Sequence, residues 1–180
     1  MKITRLPLGA LQTNCYIVSN GESILVFDPS AEAKVIINKL KDIGLPVDGI
    51  LLTHAHYDHF GALDEVHAFT GAEVYMSDIE IDWLTDIAKN GSIRFTEEIT
   101  SSVSPNTLKE GSAAVGAFKF DVIHTPGHSP GSLSYKFDNF FWFGVVRNSR
   151  GHFIFHASKN TEFSFNSNVK LMSVFYNFLS

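Results

Sequence analysis

Cysteine is nearly absent: Cys15 is the one thiol in 180 residues. That excludes an internal disulfide and points to a reducing, cytoplasmic setting. Cys15 lies in an apolar, strand-like run, where a buried and inert thiol is expected rather than a nucleophile. Long apolar runs are missing too. No stretch approaches the about 18 residues that span a bilayer, and Met1-Lys2-Ile3-Thr4-Arg5 is not followed by the apolar segment of a signal peptide. Positive charge is also scarce. Fourteen Lys and Arg face nineteen Asp and Glu, a net charge of −5, so no basic field favours nucleic acid or an anionic membrane. The remainder is globular in character, with 44% hydrophobic and 18% charged residues. The length suits one domain with room for a core, and a small-molecule substrate is the expected partner.

Strands and helices come in blocks. Ile3 to Leu8 and Asn14 to Val18 read as strands, Asn20-Gly21 as a hairpin turn, and Ser23 to Phe27 as a third strand. Ala33 to Ile43 reads as a helix, with Val35, Ile36, Leu40 and Ile43 at helical spacing and Gly44 as its stop. Ile50 to Thr53 is a short apolar strand, Ala62 to Phe69 a helix, and Glu73 to Met76 a strand. Ser77 can cap a helix from Asp78 to Lys89, ended by Gly91. The polar Ser92 to Asn106 reads as a loop or lid, and Phe118 to Ile123, Ser132 to Phe137 and Asn139 to Phe143 as strands. This order predicts two sheets packed face to face with helices outside.

The densest chemistry lies in His54-Ala55-His56-Tyr57-Asp58-His59, which puts three of eight histidines and a carboxylate into six positions. Imidazole nitrogen is a preferred ligand of zinc and iron, and carboxylate suits harder or water-activating metals. At the mouth of a predicted strand, such a cluster reads as a metal site rather than a solvated loop. A second motif, Ile123-His124-Thr125-Pro126-Gly127-His128-Ser129-Pro130-Gly131-Ser132, follows another strand. Its two prolines and two glycines define a tight turn that can hold one imidazole rigidly. Alone it leaves a turn with incidental histidines as the lesser alternative. Beside the first cluster, which lacks a full ligand set, it reads as the carrier of a further ligand.

Thr53-His54-Ala55-His56-Tyr57-Asp58-His59-Phe60-Gly61 resembles the T-H-x-H-x-D-H-x-G signature of the metallo-β-lactamase superfamily. Thr125-Pro126-Gly127-His128-Ser129-Pro130-Gly131 is similar to its later T-P-G-H-T-x-G motif, and Phe27-Asp28-Pro29 to its early Asp-Pro turn. Leu8-Gly9-Ala10-Leu11-Gln12-Thr13-Asn14-Cys15-Tyr16 resembles the small glyoxalase II-like branch. The resemblance implies an α/β fold, the αββα sandwich, with the metal site at one edge of the sheets. It covers residues 1–144, and 145–180 form a divergent tail of the same domain. By the same resemblance His54, His56 and His128 hold the first metal, and Asp58 and His59 begin a second site. Asp58 would also orient the attacking water or accept its proton. Asp28 would orient a ligand from behind, an ordinary Asp-Pro turn being the alternative. His124 matches no ligand position and reads as a strand-end or pocket residue.

The chain also departs from the family. After the strand ending at Phe143 the family carries Gly-Asp, whose Asp bridges two metals; here Gly144 is followed by Val145-Val146. The later Pro-Gly-His of the family has no counterpart. One tightly bound zinc and a weak or empty second site are therefore expected, with iron as the alternative metal. His152 and His156, spaced i, i+4, would complete the second site if the tail folds back; exposed tail histidines are the plainer reading. Residues 139–180 hold one acid, Glu162, against Arg147, Arg150, Lys159 and Lys170, together with nine of the sixteen Phe. That shift marks divergence, or a gene truncated or read out of frame after about Gly144. So much exposed Phe would recruit a second copy of the chain, giving a homo-oligomer through the tail.

The implied function is a zinc-dependent hydrolase of the glyoxalase II-like type, attacking a thioester or other small acyl ester with metal-bound hydroxide. Recognised glyoxalase II enzymes add a helical region for glutathione, and this chain ends too early for one, so hydroxyacylglutathione is not the expected substrate. A mononuclear iron enzyme like the persulfide dioxygenases, and a metal-binding remnant without turnover, are the alternatives.

Overall fold

A computed structural model describes residues 1–94 and 98–137 together with the backbone of 141–148 and 151–155. Its first sheet runs in chain order through β1 (Lys2–Leu8), β2 (Thr13–Ser19), β3 (Ile24–Phe27), β4 (Val47–Leu51), β5 (Val74–Met76) and β6 (Asn106–Thr107). β1, β2 and β3 pair antiparallel, and β3 to β6 pair parallel. The second sheet is antiparallel throughout: β7 (Gly111–Val115), β8 (Phe118–His124), β9 (Leu133–Phe137), β10 (Phe141–Asn148) and β11 (Gly151–Phe155). Three helices, α1 (Ala33–Ile43), α2 (Tyr57–Phe60) and α3 (Leu63–Thr70), lie in the first half.

The wholly apolar β3 shows why the layers stack. Successive side chains of a strand point to opposite faces. Ile24 and Val26 join Ile50 and Leu52 against Ile36 and Leu40 of α1 and Leu63 and Val66 of α3. Leu25 and Phe27 join Leu51 against Phe118, Phe120, Val122, Tyr135 and Phe137 of the second sheet. The first sheet is thus buried on both faces, as a parallel sheet requires. Each such side chain contributes about 1.5–3 kcal/mol. Aromatic contacts close the inter-sheet layer, with Phe27 5.5 Å from Tyr135 and 6.0 Å from Phe137 between ring centres. These are the helical layer and two sheets of the αββα sandwich. Among the described residues both longer helices belong to the first sheet.

Several expectations shift. The helix expected over Asp78 to Lys89 is instead a 3-10 segment, Asp78–Leu84, followed by turns. Ser77 does cap it, accepting from the Ile79 N–H at 3.3 Å. Helix does not continue to Lys89, where the Asp86 side chain takes the N–H groups of Ala88 and Lys89 that a helix would have sent back four residues. The polar stretch Ser92 to Asn106 holds a 3-10 turn, Ser92–Arg94, and ends in β6. β7 and the short α2 are additional, and the expected strand Ile50 to Thr53 lies over Val47–Leu51. At Asn20-Gly21 the chain does reverse, but through a four-residue loop in which Asn20 Oδ1 accepts the N–H groups of Glu22 and Ser23. Of the last expected strand, residues 141–143 open β10, which runs past Gly144 to Asn148 and pairs with β11, while 139–140 lie outside the described residues. The side chains of the tail, and all of residues 156–180 with His156, lie outside the described residues.

Candidate metal centre

Ligands in open α/β sheets collect at the carboxyl ends of the strands, and the histidine clusters lie there. His54 follows β4 by three residues, Asp28 follows β3 directly, and His128 sits in the turn from β8 to β9. Two bonds join the sheets at this edge: Leu133 N–H donates to Thr53 O at 2.8 Å, and the Tyr135 hydroxyl to Leu52 O at 2.7 Å. The edge is therefore fixed before any ligand is considered.

His54, His56 and His128 converge, one nitrogen from each lying within 4.8 Å of the others. His56 Nδ1 stands 2.9 Å from His54 Nε2 and 2.9 Å from His128 Nε2. A tetrahedral zinc bound at about 2.0–2.1 Å sets its nitrogens about 3.3 Å apart. The triad thus fits a metal after an outward shift of a few tenths of an ångström. His54 is buried, whereas His56 and His128 are half-buried.

The protein fixes which nitrogen His54 presents. The Thr53 hydroxyl donates to Asp28 Oδ2 at 2.7 Å, so its oxygen is left to accept from His54 Nδ1–H at 3.1 Å. Nε2 then carries its lone pair into the cluster. Asp28 is 3% exposed, holds φ at +47°, and also accepts the Thr53 N–H at 2.7 Å. Backbone in this region is unusual outside glycine and is concentrated at functional sites. Asp28 thus stands behind His54 through Thr53, and contacts His59 directly, whose Nδ1 lies 2.9 Å from its Oδ2.

His59 and Asp58 form a second, smaller group on α2. His59 Nε2 lies 3.6 Å from Asp58 Oδ2, and that oxygen accepts the Thr13 hydroxyl at 2.6 Å. Burial pulls the His59 pKa down, but the carboxylates of Asp28, Asp58 and Glu80 outweigh it and leave it above the ordinary value. Among the described residues no third ligand joins this pair.

The carrier turn is braced from within. Thr125 N–H donates to Ser132 O at 2.9 Å, the Ser129 and Ser132 hydroxyls share a bond at 2.8 Å, and Gly127 holds φ at +145°, a region suited to glycine. His124 Nε2 donates to Pro130 O at 2.7 Å, so it clips the turn rather than entering the cluster. Gly61 serves the other motif: a Cβ there would meet Ser30 O at 2.5 Å. Cys15 is fully buried, as expected, and burial, with Asp28 adding, drives its thiol well above the ordinary range.

Sequence reasoning missed Glu80 and Trp83, on the 3-10 segment. Glu80 is 0% exposed; its Oε2 accepts the Ala55 N–H at 2.9 Å and its Oε1 the Gly131 N–H at 2.6 Å. The Trp83 ring lies 5.6 Å from that of His56. Nothing in the local sequence marks either, because the amphipathic pattern of the stretch accounts for both as ordinary helix positions.

The fold and this histidine edge define a class, and comparison with known proteins agrees. The profile of the metallo-beta-lactamase superfamily matches residues 8–141. The chain belongs to that superfamily, whose curated relatives include named metallo-hydrolases. It is 41% identical over 137 residues to YqgX, a probable metallo-hydrolase of Bacillus subtilis (strain 168), covering 75% of this chain and 65% of that one. It is 29% identical over 139 residues to the hydroxyacylglutathione hydrolase GloC of Haemophilus influenzae, covering 75% and 66%. The matched stretch therefore spans just under two thirds of each curated relative. Among solved structures, the B3 metallo-beta-lactamase BLEG-1 superposes with a TM-score of 0.76 at 38% identity, over 82% of this chain and 77% of that one. TTHA1623 in a di-iron-bound form gives 0.68 at 27% identity, over 98% and 85%.

Proposed function

We propose that the chain is a zinc-dependent hydrolase of a thioester or other small acyl ester, with His54, His56 and His128 as the metal ligands. The observation that carries this is the convergence of three imidazole nitrogens, one of them aimed by the Asp28–Thr53 relay. A zinc ion held by three neutral imidazoles supplies activated water near pH 7 and polarises a carbonyl oxygen. Asp58 holds that water and takes its proton, its carboxylate steadied by the Thr13 hydroxyl. Beside it a cavity of about 280 Å³, lined by Leu8, Leu11, Thr13, Tyr57, Asp58 and Ile99, receives the acyl group. Its size falls below the usual range for drug-sized ligands, which favours a small acyl chain. The likeness to GloC supports the thioester class. The Asp58–His59 pair, with two ligands, is proposed to hold a second metal weakly or not at all.

The likeness to BLEG-1 favours β-lactam hydrolysis as a second reading, and the di-iron neighbour favours iron as a second metal. One set of assays on the zinc-loaded protein separates them. Turnover of simple acyl thioesters, lost in His128→Ala, is the expected result. Turnover of a chromogenic cephalosporin alone would transfer the assignment to lactams. Iron in the isolated protein, with oxygen consumption on a persulfide, would make it an oxygenase. Stoichiometric zinc with no turnover of any of these would leave a binding protein.

A further inference from the structure

Two loops distant in sequence carry the three histidines. The stretch 53–56 leaves the first sheet, and the turn 125–131 joins two strands of the second. Both end on Glu80. One oxygen of its carboxylate accepts the Ala55 N–H, between His54 and His56, and the other accepts the Gly131 N–H, three residues beyond His128. The side chain belongs to neither loop and is completely buried. Gly131 presses so close that a Cβ there would meet Glu80 Cγ at 2.8 Å and Cδ at 2.9 Å. Trp83, three residues on, lies against His56 from the same segment.

We propose that Glu80 is the positioning residue of the metal centre, a carboxylate clasp that sets the distance between the His54–His56 loop and the His128 turn. The inference rests on the reading of those histidines as metal ligands. Two N–H donors, one on each oxygen, call for a side chain with two acceptor oxygens at this reach. Glutamine can offer only one oxygen, and its amide nitrogen would face an N–H. Aspartate keeps the charge but is one methylene short of reaching both loops. With either replacement the His56–His128 spacing, 2.9 Å between nitrogens here, is no longer held. Partners behind metal ligands typically account for about 10–100-fold in affinity, and this one sits behind two loops at once.

The test is zinc affinity by chelator competition in the parent, Glu80→Gln, Glu80→Asp and Gly131→Ala, with the visible absorption of the cobalt-loaded proteins and the melting of the metal-free proteins measured alongside. Asp78→Asn, on the exposed side of the same segment, is the control. Glu80→Gln and Glu80→Asp should each bind zinc about 10–100-fold more weakly, with a changed cobalt spectrum. Gly131→Ala, which pushes on the same carboxylate from the other loop, should do likewise, and Asp78→Asn should match the parent. Gly131→Ala leaves every ionisable group in place, so it keeps the proposal exposed if the Glu80 variants fold poorly. Lower melting temperatures with parent-like zinc affinity and cobalt spectrum would make Glu80 a fold-stabilising residue only and overturn the clasp. Full retention of affinity in Glu80→Asp but not in Glu80→Gln would replace positioning with charge and overturn it too. A parent chain that binds no zinc would instead remove the ligand reading, and the clasp with it.

Discussion

The three-histidine group and the Asp58–His59 pair are neighbours, with the His54 and His59 rings 4.0 Å apart between centres, yet are supported differently. Each part of the first has backing. Thr53 and Asp28 aim His54, Glu80 holds the backbone between His54 and His56, and the braced Pro-Gly turn carries His128. The second has Thr13 behind Asp58 and Asp28 behind His59, but no third ligand among the described residues. Its histidine sits among carboxylates that raise its pKa despite burial. Where three neutral donors converge, a cation is the natural occupant. Where one imidazole faces two carboxylates, a proton competes for the same nitrogen. Ligand residues alone do not define a metal site, because what stands behind them sets which cation they hold.

Removing a side chain from each group separates the two most strongly. His128→Ala should weaken zinc binding by more than the about 100-fold that loss of an outer partner causes, with the fold retained, since the inter-sheet core does not include it. The parent should keep about one metal per chain after dialysis. Two retained equivalents by elemental analysis would show that the Asp58–His59 pair is a full site. Next in size is Asp58→Asn, which should lower thioester turnover by about 10²–10⁴-fold while the metal content stays at the parent value. Turnover and metal falling together would make Asp58 a ligand of the first ion.

Asp28 stands behind both groups, so its replacement tests whether they share a foundation. Asp28→Ala removes the acceptor of the Thr53 N–H, the Thr53 hydroxyl and His59 Nδ1, all of them buried. A loss of about 3 kcal/mol or more in denaturant unfolding is expected. Unfolding unchanged within about 1 kcal/mol would mean that water or a neighbour replaces the carboxylate there.

The layering and the three-histidine group were legible in the sequence because each has a local signature. β3 is apolar at every position, and the turn glycines and prolines flank His128 directly. The glycine at 61 follows from the motif and is explained by its approach to Ser30. What stayed hidden depends on contacts distant along the chain. Glu80 reaches Gly131 across 51 positions, and the helical pattern around it gives no hint that Asp86 will turn the chain aside. β7 hid because Gly111-Ser112-Ala113-Ala114 lacks the β-branched residues of a strand; it forms by pairing with β8, from Gly111 opposite Val122 to Val115 opposite Phe118.

A pH series sharpens the contrast between cation and proton. In the metal-free protein the folded-state pKa of His59 lies above the about 6.5 of an unfolded histidine. A raised value means that the protonated form is favoured in the fold. Its contribution to stability is therefore fully present below about pH 6.5 and is lost as pH rises through the folded value. The stability difference between parent and His59→Gln should shrink over that interval. A difference that grows with pH would show that His59 is held neutral, as a ligand awaiting a second metal would be.

The smallest effect belongs to His124, the other histidine of the turn, and it tests whether proximity in sequence was a sound guide. His124 ends β8 and sends Nε2 to Pro130 O at 2.7 Å, across the base of the loop that carries His128. It is half-buried, so water can take its place on that carbonyl. Replacing it with alanine removes one neutral hydrogen bond, worth about 0.5–1.5 kcal/mol, and leaves the other braces of the turn: Thr125 to Ser132, and Ser129 to Ser132. Gly131 also remains fastened to Glu80. With the turn held at both ends, the position of His128 should not change enough to affect coordination. His124→Ala should lower unfolding stability by about 1 kcal/mol and leave zinc affinity within about threefold of the parent, since it backs no ligand directly. A loss of affinity approaching that of His128→Ala would mean that the His124–Pro130 clip, rather than the serine network and the Glu80 clasp, sets the geometry of the turn.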